Sequence, residues 1–247
     1  MKYILPVITA VIAGVIVFVW FQNKQNAQIR NNNLLELKTA QSCVQKRLNE
    51  YYEQIVSQLQ SFAHSVESDR NFQLRLLAEN DRSASEITEI AQRFSAPMGF
   101  SVLDVTDSAY VILSSGEFPA SAGNSIAEKA NQLSGTPSCF DDNIMGVNTL
   151  TIQAKKGFKI MDIPFFVLGG MKIDEKFLSS LTPYPKVSVL LKRGGEYSGR
   201  ADIHSISDVK DNTILINDKE YLAAEIALPY SGDGDKPVLI VVLDRRL

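Results

Sequence analysis

The stretch Ser101–Leu113, SVLDVTDSAYVIL, decides the fold of this 247-residue chain. It holds two runs rich in β-branched residues, Ser101–Val105 and Tyr110–Leu113, on either side of the polar turn TDSA. Two such runs around a polar turn predict a β-hairpin. Because Pro97 and Gly99 stop helix formation just before it, the hairpin begins a strand-rich region.

The rest of the sequence continues this pattern of short strands and turns. A strand pair is predicted at Leu150–Ala154 and Lys159–Leu168, turning at Lys155–Gly157, and the double glycine Gly169–Gly170 is predicted to bend the chain. Later strands are predicted at Val187–Leu191, Thr213–Ile216, Glu220–Leu228 and Val238–Leu243. Short helices are predicted at Ser125–Leu133 and Asp174–Leu181, the second capped by Asp174. Because the strands mostly neighbour each other in sequence, we expect an α+β fold with an antiparallel sheet.

A long helix is predicted before the strands, since residues from Gln22 to about Ser68 include no Gly or Pro. Its apolar positions follow near-heptad spacing, which forms one narrow seam. The seam packs against the chain's own domain or forms a parallel dimer, through Val44, Leu48, Tyr51, Ile55, Leu59 and Phe62. A second helical stretch is predicted at Phe72–Phe94, with Ser83 or Ser85 as a cap.

The N-terminal run Tyr3–Phe21 has no charged residue. About 20 helical residues cross the hydrocarbon layer of a bilayer, so the run predicts an uncleaved signal-anchor. A cleaved signal peptide is the competing interpretation, although FQNKQNAQIR offers no convincing cleavage site. A buried soluble helix is the third. We expect the N-terminus inside the cell and the bulk of the chain outside it.

Composition excludes several functions. Lys and Arg number 25 against 28 Asp and Glu, a net charge of −3, and no basic stripe is present, so nucleic-acid binding is not expected. With 2 His and 2 Cys there is little material for a metal site. Phosphate-loop, zinc-protease and nucleophile-elbow motifs are absent from the sequence, so we expect neither enzyme activity nor a cofactor. Whether Cys43 and Cys139 form a disulfide stays open.

Two segments have a distinctive pattern. In Val102–Gly123 the predicted hairpin leads into Ser114-Ser115-Gly116 and a Pro-Ala-x-x-Gly turn, and the second segment is FFVLGGMKIDEKFLSSL, Phe165–Leu181. Both segments resemble the extracytoplasmic Cache/PAS-like sensor regions of bacterial membrane histidine kinases, most closely the nitrogen-regulation type. The order of anchor, long helix and globule is also similar. The Y-x₄-R-x-W-Y signature of amino-acid-binding relatives is absent, so an amino-acid ligand is not supported.

The resemblance implies a small-molecule pocket on the covered face of the sheet. By analogy its lining would come from Tyr110, Ser114, Ser115, Phe118, Phe166, Lys172 and Tyr184. Lys172, beside the double glycine, would pair with a carboxylate on the ligand. No catalytic or metal-binding residue is implied.

The resemblance also implies a division of the chain. We expect an anchor at residues 1–22, a helical stalk at 23–70, a membrane-distal PAS-like unit at 71–182, and a second smaller unit or an extension at 183–247. The implied function is an extracytoplasmic signal-sensing input module, anchored once in the bacterial inner membrane and dimeric through the stalk. A histidine-kinase transmitter would lie beyond Leu247. The alternative is an anchored interaction or scaffold protein without a small ligand.

Overall fold

The computed structural model describes residues 4–78, 81–144, 146–199 and 202–244, with residues 4–16 described by backbone only. The described chain is α+β, with one long N-terminal helix and two five-stranded antiparallel sheets. The predicted fold class is confirmed to that extent. Its helices are α1 (Ile4–Ser68), α2 (Arg70–Gln73), a π-helical turn (Leu74–Ala78), α3 (Ser85–Thr88), α4 (Ile90–Met98), a 3₁₀ turn (Pro119–Ser121), α5 (Ala127–Gln132) and α6 (Glu175–Leu181).

Among the described residues, no helix is long and apolar enough to cross a membrane. Residues 1–3 of the predicted anchor lie outside the described residues, as do the side chains of residues 4–16.

Helix α1 runs unbroken for 65 residues and buries one side against both sheets. Near its middle, Gln41 Nε2 donates to the carbonyl of Glu225 in the second sheet at 3.0 Å. Near its C-terminal end, Glu67 accepts from the backbone N–H of Lys159 in the first sheet at 3.2 Å. The first sheet therefore lies farther from the N-terminus of the chain than the second.

The predicted helix at Phe72–Phe94 is broken. Asp69 begins α2 by accepting from the backbone N–H groups of Asn71 and Phe72, and the π-helical turn follows. The next turn is closed by Asp81, which accepts from both the N–H and the hydroxyl of Ser83. The predicted serine cap is wrong, because Ala84 is the N-cap residue of α3 and makes no side-chain cap bond.

The strands are β1 (Val102–Thr106), β2 (Ile112–Ser115), β3 (Ser138–Ile144), β4 (Val147–Ile160), β5 (Ile163–Lys172), β6 (Val187–Arg193), β7 (Glu196–Ser198), β8 (Thr213–Ile216), β9 (Lys219–Ala227) and β10 (Val238–Leu243). The first sheet has the strand order β2-β1-β5-β4-β3 and the second β7-β6-β10-β9-β8. When the strands are numbered within each sheet, both orders are 2-1-5-4-3. The first sheet lies within residues 71–182 and the second within residues 183–247, and we call these two parts of the chain the first and second units.

The turn between β4 and β5 lies six residues later than its predicted start. Lys155–Gly157 belongs to β4, and the turn is Met161–Asp162, where both residues have positive φ. Two residues with positive φ form the type I′ turn that suits the twist of a hairpin. The longer strands make this the most extensively paired hairpin of the first sheet.

The predicted bend at Gly169–Gly170 is also wrong, because both glycines continue β5. A Cβ atom on Gly170 would lie 1.9 Å from the carbonyl oxygen of Ile152. The neighbouring strand β4 therefore approaches too closely for any side chain at this position. The helix after it was predicted correctly: Asp174 caps α6 by accepting from the N–H of Phe177.

The two units meet along strand β3. The N–H of Cys139 donates to the carbonyl of Pro229 at 2.7 Å, and the N–H of Ser231 donates to the carbonyl of Cys139 at 3.0 Å. Both Cys43 and Cys139 are free thiols, so the disulfide left open by the sequence is not formed. Burial raises the pKa of the Cys139 thiol to about 12, which keeps it protonated at neutral pH.

Candidate functional site

The two faces of the first sheet differ in chemistry. In β1, Leu103 and Val105 point towards α1 and join the main apolar core. Asp104, between them, points to the opposite face, as the period-two alternation of a strand requires. Asp104 pairs with Ser115 across to β2, so both side chains share this outer face.

A pocket of about 560 Å³ lies over the outer face of the first sheet. We call it the acidic pocket, because Asp104, Glu117 and Asp142 line it. Its floor comes from β1 and β2, and its sides come from the 116–126 segment, α5 and the end of β3. The residues that line it are Asp104, Ile112, Ser115, Glu117, Phe118, Ser121, Ile126, Lys129, Asp142, Asn143 and Gly146.

Lys129, on α5, connects two of the acidic residues. Its Nζ lies 2.5 Å from Asp142 Oδ2 and 3.6 Å from Asp104 Oδ2. Asp142 also accepts from Gln153 Nε2 at 2.7 Å. Charge-assisted hydrogen bonds of this kind fix the positions of the groups that make them. The lining of the pocket therefore contains an ordered acid–lysine–acid arrangement.

Asp104 is the most deeply buried of the three acidic residues that line the pocket, with 4% of its surface exposed. Burial raises the pKa of its carboxyl group, and the ammonium group of Lys129 offsets part of that effect. A strand interior normally buries an apolar side chain at such a position. Asp104 therefore costs stability, which is typical of a residue retained for binding.

Glu117 is incompletely satisfied. Its Oε2 is buried and has no hydrogen-bond partner among the described residues. Burial raises the pKa of this carboxyl group to about 7, and the negative charges of Asp104 and Asp142 add to the effect. Because buried polar atoms are nearly always paired, an unpaired carboxylate oxygen on a residue that lines a pocket favours a partner supplied by a ligand.

Apolar side chains form the rest of the wall. Ile112 and Ile126 contribute aliphatic surface, and Phe118 lies at the rim with half of its surface exposed. Ligand pockets commonly combine apolar walls with a few charged or polar groups that fix orientation. The pocket can therefore hold a small organic molecule bearing at least one charged group.

Two of the seven ligand-binding residues predicted from the sequence, Ser115 and Phe118, line this pocket. Ser114 points the other way, where its hydroxyl accepts from the N–H of Ala91 and donates to the carbonyl of Thr88. It holds the 85–98 helical segment against the sheet. The alternation of β2 therefore divides the predicted Ser114–Ser115 pair between two faces.

The other four predicted residues lie elsewhere. The rings of Tyr110 and Phe166 are 4.9 Å apart beside α5, with Lys155 Nζ over both. Lys172 forms an ion pair with Asp174 at 3.1 Å, in a separate surface depression. Tyr184 packs against the main core. These four residues lie outside the lining of the acidic pocket.

Of the two alternatives for the apolar seam of α1, the structure supports packing against the chain's own domain for five of the six residues named. Val44, Leu48, Ile55, Leu59 and Phe62 are at most 1% exposed and join the core formed with the two sheets. Tyr51 is partly buried and packs against Phe177, with ring centroids 5.1 Å apart. A side chain enclosed within its own chain has no surface left for a partner, so the seam is the helix's own packing face. Dimerisation stays a prediction and would require another face of α1.

The sequence interpretation missed Asp104, Glu117, Lys129 and Asp142. One signal was present: Asp104 interrupts the β-branched run VLDVT, where an apolar residue would fit either face of a covered strand. Strand β3 itself was not predicted, so Asp142 had no element to place it on. Lys129 and Glu117 come to the pocket only through the tertiary fold.

Comparisons with known proteins support the fold. No protein-family model matches the chain, and no curated protein matches it. The sensor domain of the Vibrio cholerae histidine kinase DctB is similar, with a TM-score of 0.54 and 10% identity, over 87% of this chain and 99% of that one.

Two further solved structures are similar. The periplasmic domain of Vibrio cholerae LuxQ has a TM-score of 0.52 and 10% identity, over 84% of this chain and 98% of that one. The ligand-binding domain of the Pseudomonas fluorescens chemoreceptor CtaA, in complex with L-isoleucine, has a TM-score of 0.53 and 9% identity, over 89% of this chain and 95% of that one. The predicted resemblance is confirmed at the level of structure: the chain has the Cache/PAS-like fold of extracytoplasmic sensor regions.

Proposed function

We propose that this chain is the extracytoplasmic signal-sensing input module of a membrane-anchored receptor, with the acidic pocket of the first sheet as its ligand site. The observation that carries the proposal is the ordered acid–lysine–acid arrangement that lines an open pocket on a Cache/PAS-like sheet. The CtaA domain, which shares the fold, was solved with a small molecule bound.

The signal would be carried as a change in population between two packings of the chain. A ligand shifts such an equilibrium only through its different affinities for the two states. Strand β3 is suited to this role, because Asp142 lies in the pocket while Cys139 and Asp141 of the same strand contact the second unit. Helix α1 packs against both units and leads back towards the N-terminus.

The test is a ligand screen on the full chain in lipid nanodiscs, read as a thermal shift against a library of metabolites and ions. We expect at least one compound to stabilise the protein reproducibly. Ser121→Trp, which places a large ring in the pocket, should abolish the shift. Ser65→Trp, an exposed position on α1, is the matched control and should leave it unchanged. A shift that survives Ser121→Trp would place the ligand elsewhere and contradict the proposal.

The receptor proposal includes an inner-membrane anchor at residues 1–22, with the following domain outside the cytoplasm. The uncharged run Tyr3–Phe21 supports it. C-terminal fusions to two reporters, one active only outside and one only inside the cytoplasmic membrane, test the orientation. Activity of the inside reporter alone would contradict it. We propose a histidine kinase as the output, because DctB is one, and the reading frame after residue 247 tests that.

A further inference from the structure

We propose that the acidic pocket takes a small organic cation, such as a protonated alkylamine. This rests on the proposed function of the pocket as a ligand site, and it names the charge and chemical class of the ligand.

The charge balance of the pocket is negative. Three carboxyl groups line it, from Asp104, Glu117 and Asp142, against the single ammonium group of Lys129. With all four groups ionised the balance is −2, and with Glu117 protonated it is −1. In a partly desolvated pocket an uncompensated negative charge attracts a cation strongly. A ligand carrying one or two positive charges would neutralise the lining.

The lysine in the pocket is not free for an anionic ligand. Its Nζ lies between Asp142, at 2.5 Å, and Asp104, at 3.6 Å, and its side chain is only 14% exposed. A carboxylate ligand would have to compete with both aspartates for Lys129 and would add a further negative charge to a pocket that three carboxyl groups already line. The arrangement therefore disfavours dicarboxylates and other anions.

Glu117 lines the pocket and supplies an acceptor. Its buried Oε2 lacks a hydrogen-bond partner among the described residues. An ammonium group has three N–H donors and no acceptor, so it can satisfy this oxygen. A bound cation would also oppose the effect by which burial and the two aspartates raise the pKa of Glu117.

The remaining walls favour an organic cation over a bare metal ion. Ile112 and Ile126 offer aliphatic surface, and Phe118 at the rim presents an aromatic ring. An aromatic face attracts a cationic head group, and aliphatic walls bury a carbon chain. The volume of about 560 Å³ lies in the usual range for small-molecule sites.

The experiment uses the full chain in nanodiscs and calorimetric titration at pH 7.5. Three probes share one four-carbon chain and differ only at their ends: 1,4-diaminobutane, 1,4-butanediol and succinate. Methylamine, tetramethylammonium and calcium chloride complete the panel. We expect at least one of the amines or tetramethylammonium to bind, the diol and succinate not to bind, and Ser121→Trp to abolish binding.

Variants of the lining test the assignment of charge. Glu117→Gln and Asp104→Asn should each weaken cation binding by at least about tenfold. Lys129→Gln removes the competing ammonium group, so cation binding should be retained or tightened, whereas an anionic ligand would be lost. Circular dichroism and melting temperature identify any variant that fails to fold. Glu128→Gln, on the exposed side of α5, is the matched control and should leave the affinity unchanged.

Binding of succinate, the diol or calcium in the pocket, or loss of binding in a folded Lys129→Gln variant, would overturn the cation assignment and leave the proposed ligand site standing. Absence of any pocket-dependent ligand in the wider library would instead overturn the proposed function.

Discussion

The two sheets share one strand order, but their outer faces, turned away from α1, have opposite chemistry. On the first sheet that face carries Asp104 and its charged neighbours beneath an open pocket. On the second it is an apolar cluster formed by Leu190, Ile214, Ile216, Ala223, Ile240 and Val242. Ile203, Ile206 and Val209, from the connection before β8, pack over that cluster.

This difference separates two roles for one architecture. Leu190 is buried at the centre of β6, the first strand of its unit, as Asp104 is in β1. An aliphatic residue there stabilises the sheet by burying apolar area. A carboxylate there lowers stability and is compensated by Lys129. We infer that the first unit binds the ligand and that the second unit stabilises the fold.

The largest effect is expected from introducing the binding chemistry into the supporting unit. Leu190→Asp would bury a carboxylate in the apolar cluster without a cationic partner. We expect the free energy of unfolding to fall by about 3–5 kcal/mol, measured by urea denaturation. Leu215→Asp is the matched control, because Leu215 is 48% exposed on β8, and it should cost far less. Equal losses would mean that the outer face of the second sheet is not a true core.

The reverse exchange, in which an apolar side chain replaces the buried carboxylate of the first unit, should change the free energy of unfolding little. Asp104→Leu removes a buried carboxylate and leaves Lys129 paired with Asp142. We expect the free energy of unfolding to stay the same or to rise by about 1 kcal/mol, while cation binding is lost. Asp142→Leu removes the closer partner of Lys129 and should lower stability. If Asp104→Leu destabilises as much as Asp142→Leu, Asp104 is a structural rather than a binding residue.

The sequence predicted the architecture better than the site, and particular residues explain why. Hydrophobic alternation and turn chemistry are local, so they identified the hairpin, four of the five strands of the second sheet and the Asp174 cap, but not the short strand β7. Gly169–Gly170 misled because a double glycine favours a bend locally, whereas here it relieves a contact with Ile152 in the neighbouring strand.

The heptad seam shows the same limit for packing. Near-heptad spacing from Val44 to Phe62 predicts a buried stripe but does not identify what covers it. The seam packs against the chain's own sheets. The site depends on such long-range placement, since Asp104, Lys129 and Asp142 come from three separate elements. Of these three residues, only Asp104 gave a signal in the sequence, because a charged residue interrupts the apolar run VLDVT.

The pH dependence of stability should distinguish the two units through Glu117. Because its pKa is raised in the folded protein to about 7 from an ordinary 4.5, its stabilising contribution is full below pH 4.5 and is lost as the pH rises through 7. Glu117→Gln removes this contribution. We therefore expect the melting temperature of the wild type, relative to Glu117→Gln, to fall between pH 4.5 and 7.5.

Asp104, Asp142 and Lys129, which face Glu117 in the pocket, are present in both proteins, so their direct titration largely cancels in that difference. Glu128→Gln serves as the exposed control on α5 and should track the wild type across the range. A constant difference between wild type and Glu117→Gln would show that the Glu117 carboxyl group is no more perturbed than an exposed one.

The smallest effect concerns the contact that joins the units. Tyr230 donates from its hydroxyl to Asp141 Oδ2 at 2.5 Å and accepts from the N–H of Gly234 at 3.2 Å, while Arg193 binds both oxygens of Asp141. We expect Tyr230→Phe to lower the free energy of unfolding by about 0.5–1.5 kcal/mol, at the lower end because the site is half-buried.

Its effect on coupling should exceed its effect on stability. Asp141 and Asp142 are adjacent on β3 and point to opposite faces, so the contact with the second unit lies one residue from the pocket. Tyr197→Phe is the matched control, since its hydroxyl bonds to Ser207 and Asp208 within the second unit. We expect ligand to slow hydrogen exchange in β6 and β10 of the wild type and of Tyr197→Phe, and to do so less in Tyr230→Phe. Equal protection in all three would mean that pocket occupancy reaches the second unit through α1 instead.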